Sequence, residues 1–294
     1  MIDETSLKRF VADLARRTGY TLRLVEEDVW QKLVLNHLYS DGPASRELIF
    51  KGGTCITRTL LGYYRFSEDL DFSWLKKQKR NYYETFADSH LKPLSSIGVG
   101  LGKHFGTQGG RLMKWDLICG NGRLVLSVNF AQEIVYPTQV RPLQVLEPGE
   151  TEKQNLLVMY PLVAPDYFRK LEVPCYSPEE IACEKMVAIL TRLDLTKPRD
   201  IVDLFHMQTR VDLPGLVSDA KALGKMKRQV HSTPGYLRVF RERKGDIPGY
   251  LMRLAEEAER EHELYVKPTE RKRLETFSEK TLAPVLGELV DKMG

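Results

Sequence analysis

Two aspartates, Asp69 and Asp71, are the residues of this sequence best placed to do metal chemistry. The alternation of polar and apolar residues from Asp69 to Trp74 predicts a half-buried strand, so both carboxylates point to the same face. Neighbouring carboxylates repel one another and need a cation between them. Oxygen donors of this kind, together with a phosphate, suit Mg²⁺ or Mn²⁺.

A glycine pair precedes these acids, with Gly53 sixteen residues before Asp69. Residues 47–50 predict a short strand, and Lys51-Gly52-Gly53-Thr54 predicts a bend into a helix that continues to Leu61. Such a bend leaves backbone N–H groups at the helix N-terminus, and glycines let a ligand approach the backbone closely. With the Thr54 hydroxyl as a further donor and Lys51 as a cation, the segment is suited to gripping phosphate.

A second group of charged residues lies on a pair of predicted helices in the second half of the chain. Ser177 is an N-cap, Pro178 follows at the first helical position, and Glu180 completes a capping box. This helix carries Lys185, whose compact ammonium is suited to a triphosphate. Taken alone, Lys185 is better interpreted as a solvated helix lysine that borders the core, and only its place beside the following motif favours a functional role.

The next predicted helix starts near Pro198. Asp200 and Asp203 are three residues apart and therefore share one of its faces. Arg199 serves either as a phosphate contact or as the partner of Asp200.

The combined pattern resembles a known family. The string from Lys51-Gly52-Gly53-Thr54 to Arg65-Phe66-Ser67-Glu68-Asp69-Leu70-Asp71-Phe72 resembles the nucleotidyltransferase toxins of the AbiEii type, which include the mycobacterial MenT toxins. Lys185-Met186-Val187-Ala188 and the segment from Arg199 to Leu204 are similar to the family's K-x-x-A and R-D-x-x-D-L motifs. The family has the DNA polymerase β-like nucleotidyltransferase fold.

The resemblance implies a toxin of a toxin–antitoxin, abortive-infection (phage defence) system that transfers NMP from an NTP to RNA. The acceptor would be the 3′ end of tRNA, and its modification would block translation. A cognate antitoxin would inhibit the toxin. The implied site residues fall into three groups: catalytic Asp69, Asp71, Lys185 and Asp203; nucleotide-binding Lys51, Gly52, Gly53, Thr54, Ser67, Arg199 and Asp200; and metal-binding Asp69 and Asp71. In some relatives the serine matching Ser67 is phosphorylated, which would repel a triphosphate.

One position departs from the wider superfamily, whose members commonly carry a third carboxylate on a later strand. Ser127 occupies the matching position here. Asp116 or Glu133 would substitute for it, or Asp203 would act on the incoming nucleophile, and the sequence does not decide between them.

Two other functions remain open. One is a nucleotidyltransferase that modifies a protein or a small molecule such as an aminoglycoside. The other is a degenerate module that only binds nucleotide or a partner. Basic runs at 76–80, 221–228 and 238–244, with Tyr82, Tyr83 and Phe240 nearby for stacking, favour contact with tRNA.

Composition narrows the class of protein. Of 294 residues, 42% are hydrophobic and 29% charged, and the net charge is +4, which excludes a disordered chain and permits a polyanion as partner. The four cysteines form no C-x-x-C pair, so they are expected to be reduced core residues rather than zinc ligands. With no signal peptide and no apolar span, a cytoplasmic protein without membrane contact is expected.

The predicted architecture is α+β: a polymerase β-like core of a mixed sheet with flanking helices, then a helical C-terminal domain. Residues 1–168 are expected to form two helices and the sheet core, with 81–91 helical, three strands between Ile97 and Phe130, and strand and loop over 131–168. Residues 169–294 are expected to form the helical domain that contributes the Lys and Asp motifs.

Overall fold

A computed structural model describes residues 3–40, 47–75, 84, 86–106, 112–120, 122–130, 133–192, 198–232, 235–260 and 270–293. The chain divides into two compact units. The first contains Met1–Tyr63, Ser67–Gln132 and Thr138–Cys175, and the second contains Tyr64–Phe66, Glu133–Pro137 and Tyr176–Gly294.

The first unit is built on a seven-stranded mixed sheet in the order β3-β4-β5-β2-β1-β7-β6. Strands β2 and β5 are parallel, as are β1 and β7, and the other neighbouring pairs are antiparallel. The strands are β1 (Leu48–Lys51), β2 (Asp69–Trp74), β3 (Val99–Gly106), β4 (Leu112–Cys119), β5 (Gly122–Asn129), β6 (Gln139–Pro142) and β7 (Glu172–Cys175).

Strand β2 shows how the sequence sets the two faces of this sheet. Leu70 and Phe72 are fully buried, whereas Asp69 and Asp71 are half-buried on the opposite face. The Phe72 ring lies 5.3 Å from the ring of Phe50 on β1. The predicted strand and its alternation are therefore confirmed.

Two helices at the start of the chain pack in the first unit. Helix α1 (Glu4–Thr18) begins at Asp3, whose side chain accepts from the Ser6 N–H, and ends at Gly19 in the left-handed region. Helix α2 (Leu22–Ser40) contacts β5 and is tied to β1 by the Tyr39 hydroxyl, which donates to the Leu48 carbonyl at 2.9 Å.

Helix α3 (Gly52–Cys55) follows β1 directly and continues as a π-helical segment, Ile56–Leu61, so the predicted strand, bend and helix are confirmed. Residues 81–83 and 85 lie outside the described residues. Within the rest of the helix predicted over 81–91, Ala87–Leu91 is π-helical, and Lys92–Ile97 continues it as a 3₁₀ helix.

The prediction of strand and loop over 131–168 is wrong in part. Strand β6 is present, but α4 (Glu150–Met159) and α5 (Ala164–Phe168) are helices. Helix α4 buries only Leu156, so it lacks the apolar stripe from which a helix is recognised in sequence. Pro165 lies in the first turn of α5, where a proline is tolerated and does not break a helix.

The second unit is helical from Pro178 onward, as predicted, but Glu172–Cys175, which was expected in the helical domain, is strand β7 of the first unit's sheet. Its helices are α6 (Pro178–Thr191), α7 (Arg199–Met207), α8 (Leu213–Ser218), α9 (Ala220–Ser232), α10 (Tyr236–Lys244), α11 (Ile247–Arg260), α12 (Arg271–Phe277) and α13 (Ala283–Met293), with the π-helical segment Ser278–Leu282 between the last two.

At the start of α6 the predicted N-cap is present, but the predicted capping box is not. The Ser177 hydroxyl caps the helix by accepting from the Glu180 N–H at 3.2 Å. The Glu180 carboxylate is directed elsewhere: it accepts from the N–H groups of Val135 and Tyr136, both at 3.0 Å, and pairs with Lys225. Glu180 thus holds residues 133–137 in the second unit and does not complete a capping box.

The four cysteines are buried and form no disulfide. Within the described ranges, no helix has both the length and the apolar character needed to cross a bilayer.

Candidate active site

The glycine bend and the acidic strand meet in the first unit. Strands β1 and β2 are antiparallel and place Lys51 directly opposite Asp71. The next residue, Gly52, has a φ of +77°, which favours glycine. A Cβ built on it would lie 2.6 Å from Oδ2 of Asp71, a contact no alanine tolerates without displacing the acid. Glycine is therefore required here twice, by its backbone and by the space the carboxylate needs.

The Asp71 carboxylate is half-buried, and no described residue forms a hydrogen bond or ion pair with it. Asp69 lies on the same face of β2, also half-buried. In the part of the chain that the structure describes, no third His, Cys, Asp or Glu joins them in a metal-binding cluster. Two carboxylates beside a glycine cradle fit Mg²⁺, which is commonly bound by one or two carboxylates and completed by water and substrate phosphates.

The Thr54 hydroxyl has a partner within the first unit. Its hydroxyl is buried and donates to the Asp69 carbonyl at 2.5 Å. Because a hydroxyl carries one hydrogen, this bond takes the donor that was expected for phosphate. Thr54 fixes the first residue of β2 against α3.

Ser67, just before the acids, is held through its backbone. The Gln31 side-chain amide donates to the Ser67 carbonyl at 2.6 Å. Gln31 also accepts from the Arg58 guanidinium at 3.3 Å, so α2 links the helix after the glycine bend to the entry of β2.

The strand registers show where the three candidate positions for a third carboxylate lie. Ser127 on β5 is the direct neighbour of Asp71. Asp116 on β4 is opposite Val125, which is itself opposite Asp69, so it lies two strands away, and it pairs with Arg123 at 3.0 Å. Glu133 belongs to the second unit and pairs there with Arg228 at 2.8 Å. Within the first unit's described residues, Asp69 and Asp71 stand as a pair.

The second group of predicted residues forms a buried ionic network in the second unit. Asp203 on α7 is fully buried and binds Arg65 through both oxygens, at 2.6 Å and 2.9 Å. Lys185 on α6 lies 2.7 Å from Asp203 and 2.8 Å from Asp200. The Tyr64 hydroxyl adds a bond to Asp203 at 2.6 Å.

The charges in this network stabilise one another. Burial alone would raise the pKa of Asp203, but Arg65 and Lys185 outweigh it and hold that pKa below its ordinary value. Burial likewise opposes the charge on Lys185, yet Asp200 and Asp203 raise its pKa above the ordinary value. The network is therefore ionised near neutral pH.

Sequence reasoning missed the partners in this network. Arg65 is part of the motif string, but the sequence assigned it no role. Arg192 pairs with Asp200 at 2.7 Å, and no motif in the sequence pointed to it. Arg199, predicted as a phosphate contact or a partner of Asp200, is half-buried at the start of α7. The signal available for Arg65 was its position in the motif string, four residues before Asp69.

The segment that carries Arg65 lies between two segments of the first unit. Residues Tyr64–Phe66 belong to the second unit, whereas Tyr63 and Ser67 on either side belong to the first. The chain therefore leaves the first unit after the glycine helix, is fixed by Asp203, and returns to begin the acidic strand.

A family model for the AbiEii nucleotidyltransferase toxins of type IV toxin–antitoxin systems matches residues 33–284. The chain belongs to this family. Among solved structures it is similar to MenT4, a nucleotidyltransferase toxin from Mycobacterium tuberculosis, with 19% identity and a TM-score of 0.54 over 94% of this chain and 98% of that one. At this identity the likeness establishes the fold. The search of curated proteins found no match.

Membership makes this AbiEii chain a nucleotidyltransferase toxin and implies an antitoxin as its partner. The resemblance deduced from the motifs and the expected mixed sheet with flanking helices are both confirmed.

The basic runs of this AbiEii chain are only partly open to nucleic acid. Residues 76–80 and the tyrosines at 82 and 83 lie outside the described residues. Lys225 pairs with Glu180, Arg243 is buried and donates to the Ile189 and Arg192 carbonyls, and Phe240 is buried. The prediction that Phe240 stacks on a base is wrong, because its ring is part of the core.

Proposed function

We propose that this toxin transfers a nucleoside monophosphate from an NTP to an RNA acceptor, most favourably the 3′ end of tRNA, and so blocks translation in the cytoplasm as a phage-defence response. The observation that carries the proposal is the Asp71 carboxylate, which is unpaired among the described residues and lies 2.6 Å from the position that a Cβ on Gly52 would take. Such a carboxylate is poised for a cation that arrives with the substrate.

Asp69 and Asp71 would hold Mg²⁺ or Mn²⁺, which when bound would neutralise the triphosphate and polarise the reacting phosphate. Gly52 and Gly53, at the start of α3, would present backbone N–H groups to the phosphates. Lys51, opposite Asp71, would offset the negative charge that develops on the leaving group.

The reaction is a displacement at the α-phosphorus. The acceptor hydroxyl oxygen bonds to that phosphorus, the bond to the β-phosphate bridge breaks, pyrophosphate leaves, and the hydroxyl proton passes to water. The chain's contribution is to position the two reactants and to stabilise charge.

For Lys185 and Asp203 we propose a positioning role, through the segment at Arg65 that leads into the acidic strand. Their buried contacts with Arg65 support this role. Direct participation in transfer, and contacts of Arg199, Asp200 and Ser67 with the nucleotide, stay predictions.

The test is transfer of label. The purified chain is incubated with each α-³²P NTP and Mg²⁺, and with total RNA, lysate protein or an aminoglycoside in separate reactions. Label is expected in tRNA, lost on 3′ periodate oxidation of the RNA and absent for Asp69→Ala. Label in protein or antibiotic alone, or product from Asp69→Ala equal to that of the wild type, would contradict the proposal.

A further inference from the structure

The strand registers place five residues in one row across the sheet. Phe105 on β3 is opposite Lys114 on β4, Lys114 is opposite Ser127 on β5, and Ser127 is opposite Asp71, which is opposite Lys51. Directly opposite residues on neighbouring strands project to the same face. An aromatic ring and a lysine therefore share the face of the proposed catalytic acid.

The outer part of this row is open. Phe105 is 53% exposed, and Lys114 is exposed with no ion-pair partner among the described residues. The row thus presents an exposed aromatic ring and an exposed lysine side by side on one face.

A β-bulge sets the direction of the ring. The register shifts by one residue between Leu101 and His104. Leu101 is opposite the fully buried Leu117 and projects to the same face as that residue, although Leu101 itself is 38% exposed. Without the shift Phe105 would face the same way, because alternate residues share a face; with it, Phe105 turns to the face of Asp71.

We propose that this row binds the single-stranded 3′ end of the acceptor RNA, with a base stacked on Phe105 and a phosphate at Lys114. The proposal rests on the proposed function and concerns the same site. Neighbouring strands lie about 4.8 Å apart, so Phe105 is about 14 Å from Asp71, or about four stacked nucleotides. The terminal hydroxyl then lies at the acids while an upstream base covers the ring.

The chemistry of the row selects single-stranded nucleic acid. A phenyl ring offers a stacking face to a base, and a base presents its own face only when it is not inside a duplex. Lys114, with Lys103 also exposed on β3, supplies positive charge to the phosphate backbone. An acidic protein would use the lysines but would gain little from the ring.

Binding is measured without nucleotide, using the full chain and a short fluorescein-labelled single-stranded RNA with a free 3′ hydroxyl. Phe105→Ala is expected to weaken binding about tenfold, with the salt dependence unchanged, and Phe105→Trp to restore it. Lys114→Gln is expected to reduce the slope of log affinity against log salt by about 0.7. Leu101→Ala, on the same strand but the other face, is the matched control and should bind as the wild type does.

Transfer kinetics separate this inference from the proposed function. Phe105→Ala should raise KM for RNA and leave KM for the NTP unchanged. If the wild type labels RNA but Phe105→Ala and Lys114→Gln keep its affinity and KM, or if Leu101→Ala loses as much, the row is not the acceptor site. A rise in KM for the NTP alone would assign the ring to the nucleotide base instead. Failure of the wild type to label RNA would overturn the proposed function, and this inference with it.

Discussion

Gly52 and Asp71 lie in close contact, and a Cβ on Gly52 would come within 2.6 Å of Oδ2 of Asp71. The two residues come from different elements, the start of α3 and the middle of β2. The glycine bend and the acidic strand therefore form one structure, and each depends on the other's exact chain path.

Gly52→Ala is expected to abolish nucleotidyl transfer. The alanine must adopt a φ of +77° and displace the carboxylate that would receive the cation. The left-handed conformation costs about 1–2 kcal/mol in unfolding free energy. The matched control is Gly19→Ala, which has the same φ and nothing within 4 Å of its Cβ. It should lose similar stability and keep full transfer; equal activity in the two variants would refute the role of Gly52.

Asp203→Asn is expected to destabilise the chain strongly. The substitution leaves Arg65 and Lys185 buried without their shared counter-ion, and breaking a buried pair in this way costs about 3–5 kcal/mol. Urea unfolding measures the loss. Glu288→Gln removes an exposed pair with Lys292 and should change stability by less than about 1 kcal/mol. Similar midpoints for the two variants would mean that Asp203 does not anchor the network.

Acid should weaken the same network. The pKa values of Asp200 and Asp203 are lowered because Lys185 and their arginine partners outweigh burial. The unfolded chain therefore takes up protons first as the pH falls below about 4, so stability present above that pH is lost progressively below it. The slope of unfolding free energy against pH should be shallower in Asp203→Asn. An unchanged slope would show that these carboxyls do not govern acid unfolding.

The buried Lys32 should make the free energy of unfolding depend on pH in the neutral to alkaline range. Burial, with Arg58 and Arg169 nearby, lowers its pKa to about 7 from the ordinary 10.5. Between these values the unfolded chain binds the extra proton, so stability rises with pH by at most about 1.4 kcal/mol per unit. Lys32→Met should flatten that rise in urea unfolding. A rise of the same size in the variant would assign it to other groups.

Local patterns in the sequence predict those parts of the fold whose causes are local. Alternation along β2 places Asp69 and Asp71 on one face, and Ser177 marks the start of α6. Such patterns do not predict helix α4, because it buries only Leu156 and so has no apolar stripe.

The partners of the predicted residues could not be predicted, because they are distant in the chain. Arg65 and Asp203 are 138 positions apart, and Glu180 and Lys225 are 45 apart. The row from Phe105 to Asp71 depends on strand registers and on one bulge, neither of which leaves a periodic signal. The sequence therefore predicts the two aspartates of β2, but it does not predict the residues on neighbouring strands that flank them.

Capture of a divalent cation by Asp69 and Asp71, together with a triphosphate, is the step on which the proposed function depends most. Its most direct test is Mn²⁺ electron paramagnetic resonance, titrating the chain in the presence of a non-hydrolysable NTP analogue. The wild type and the exposed-carboxylate control Asp88→Asn should bind Mn²⁺ alike, and Asp71→Asn should lose that binding while unfolding at the same urea concentration. Undiminished Mn²⁺ binding by a folded Asp71→Asn would contradict the account.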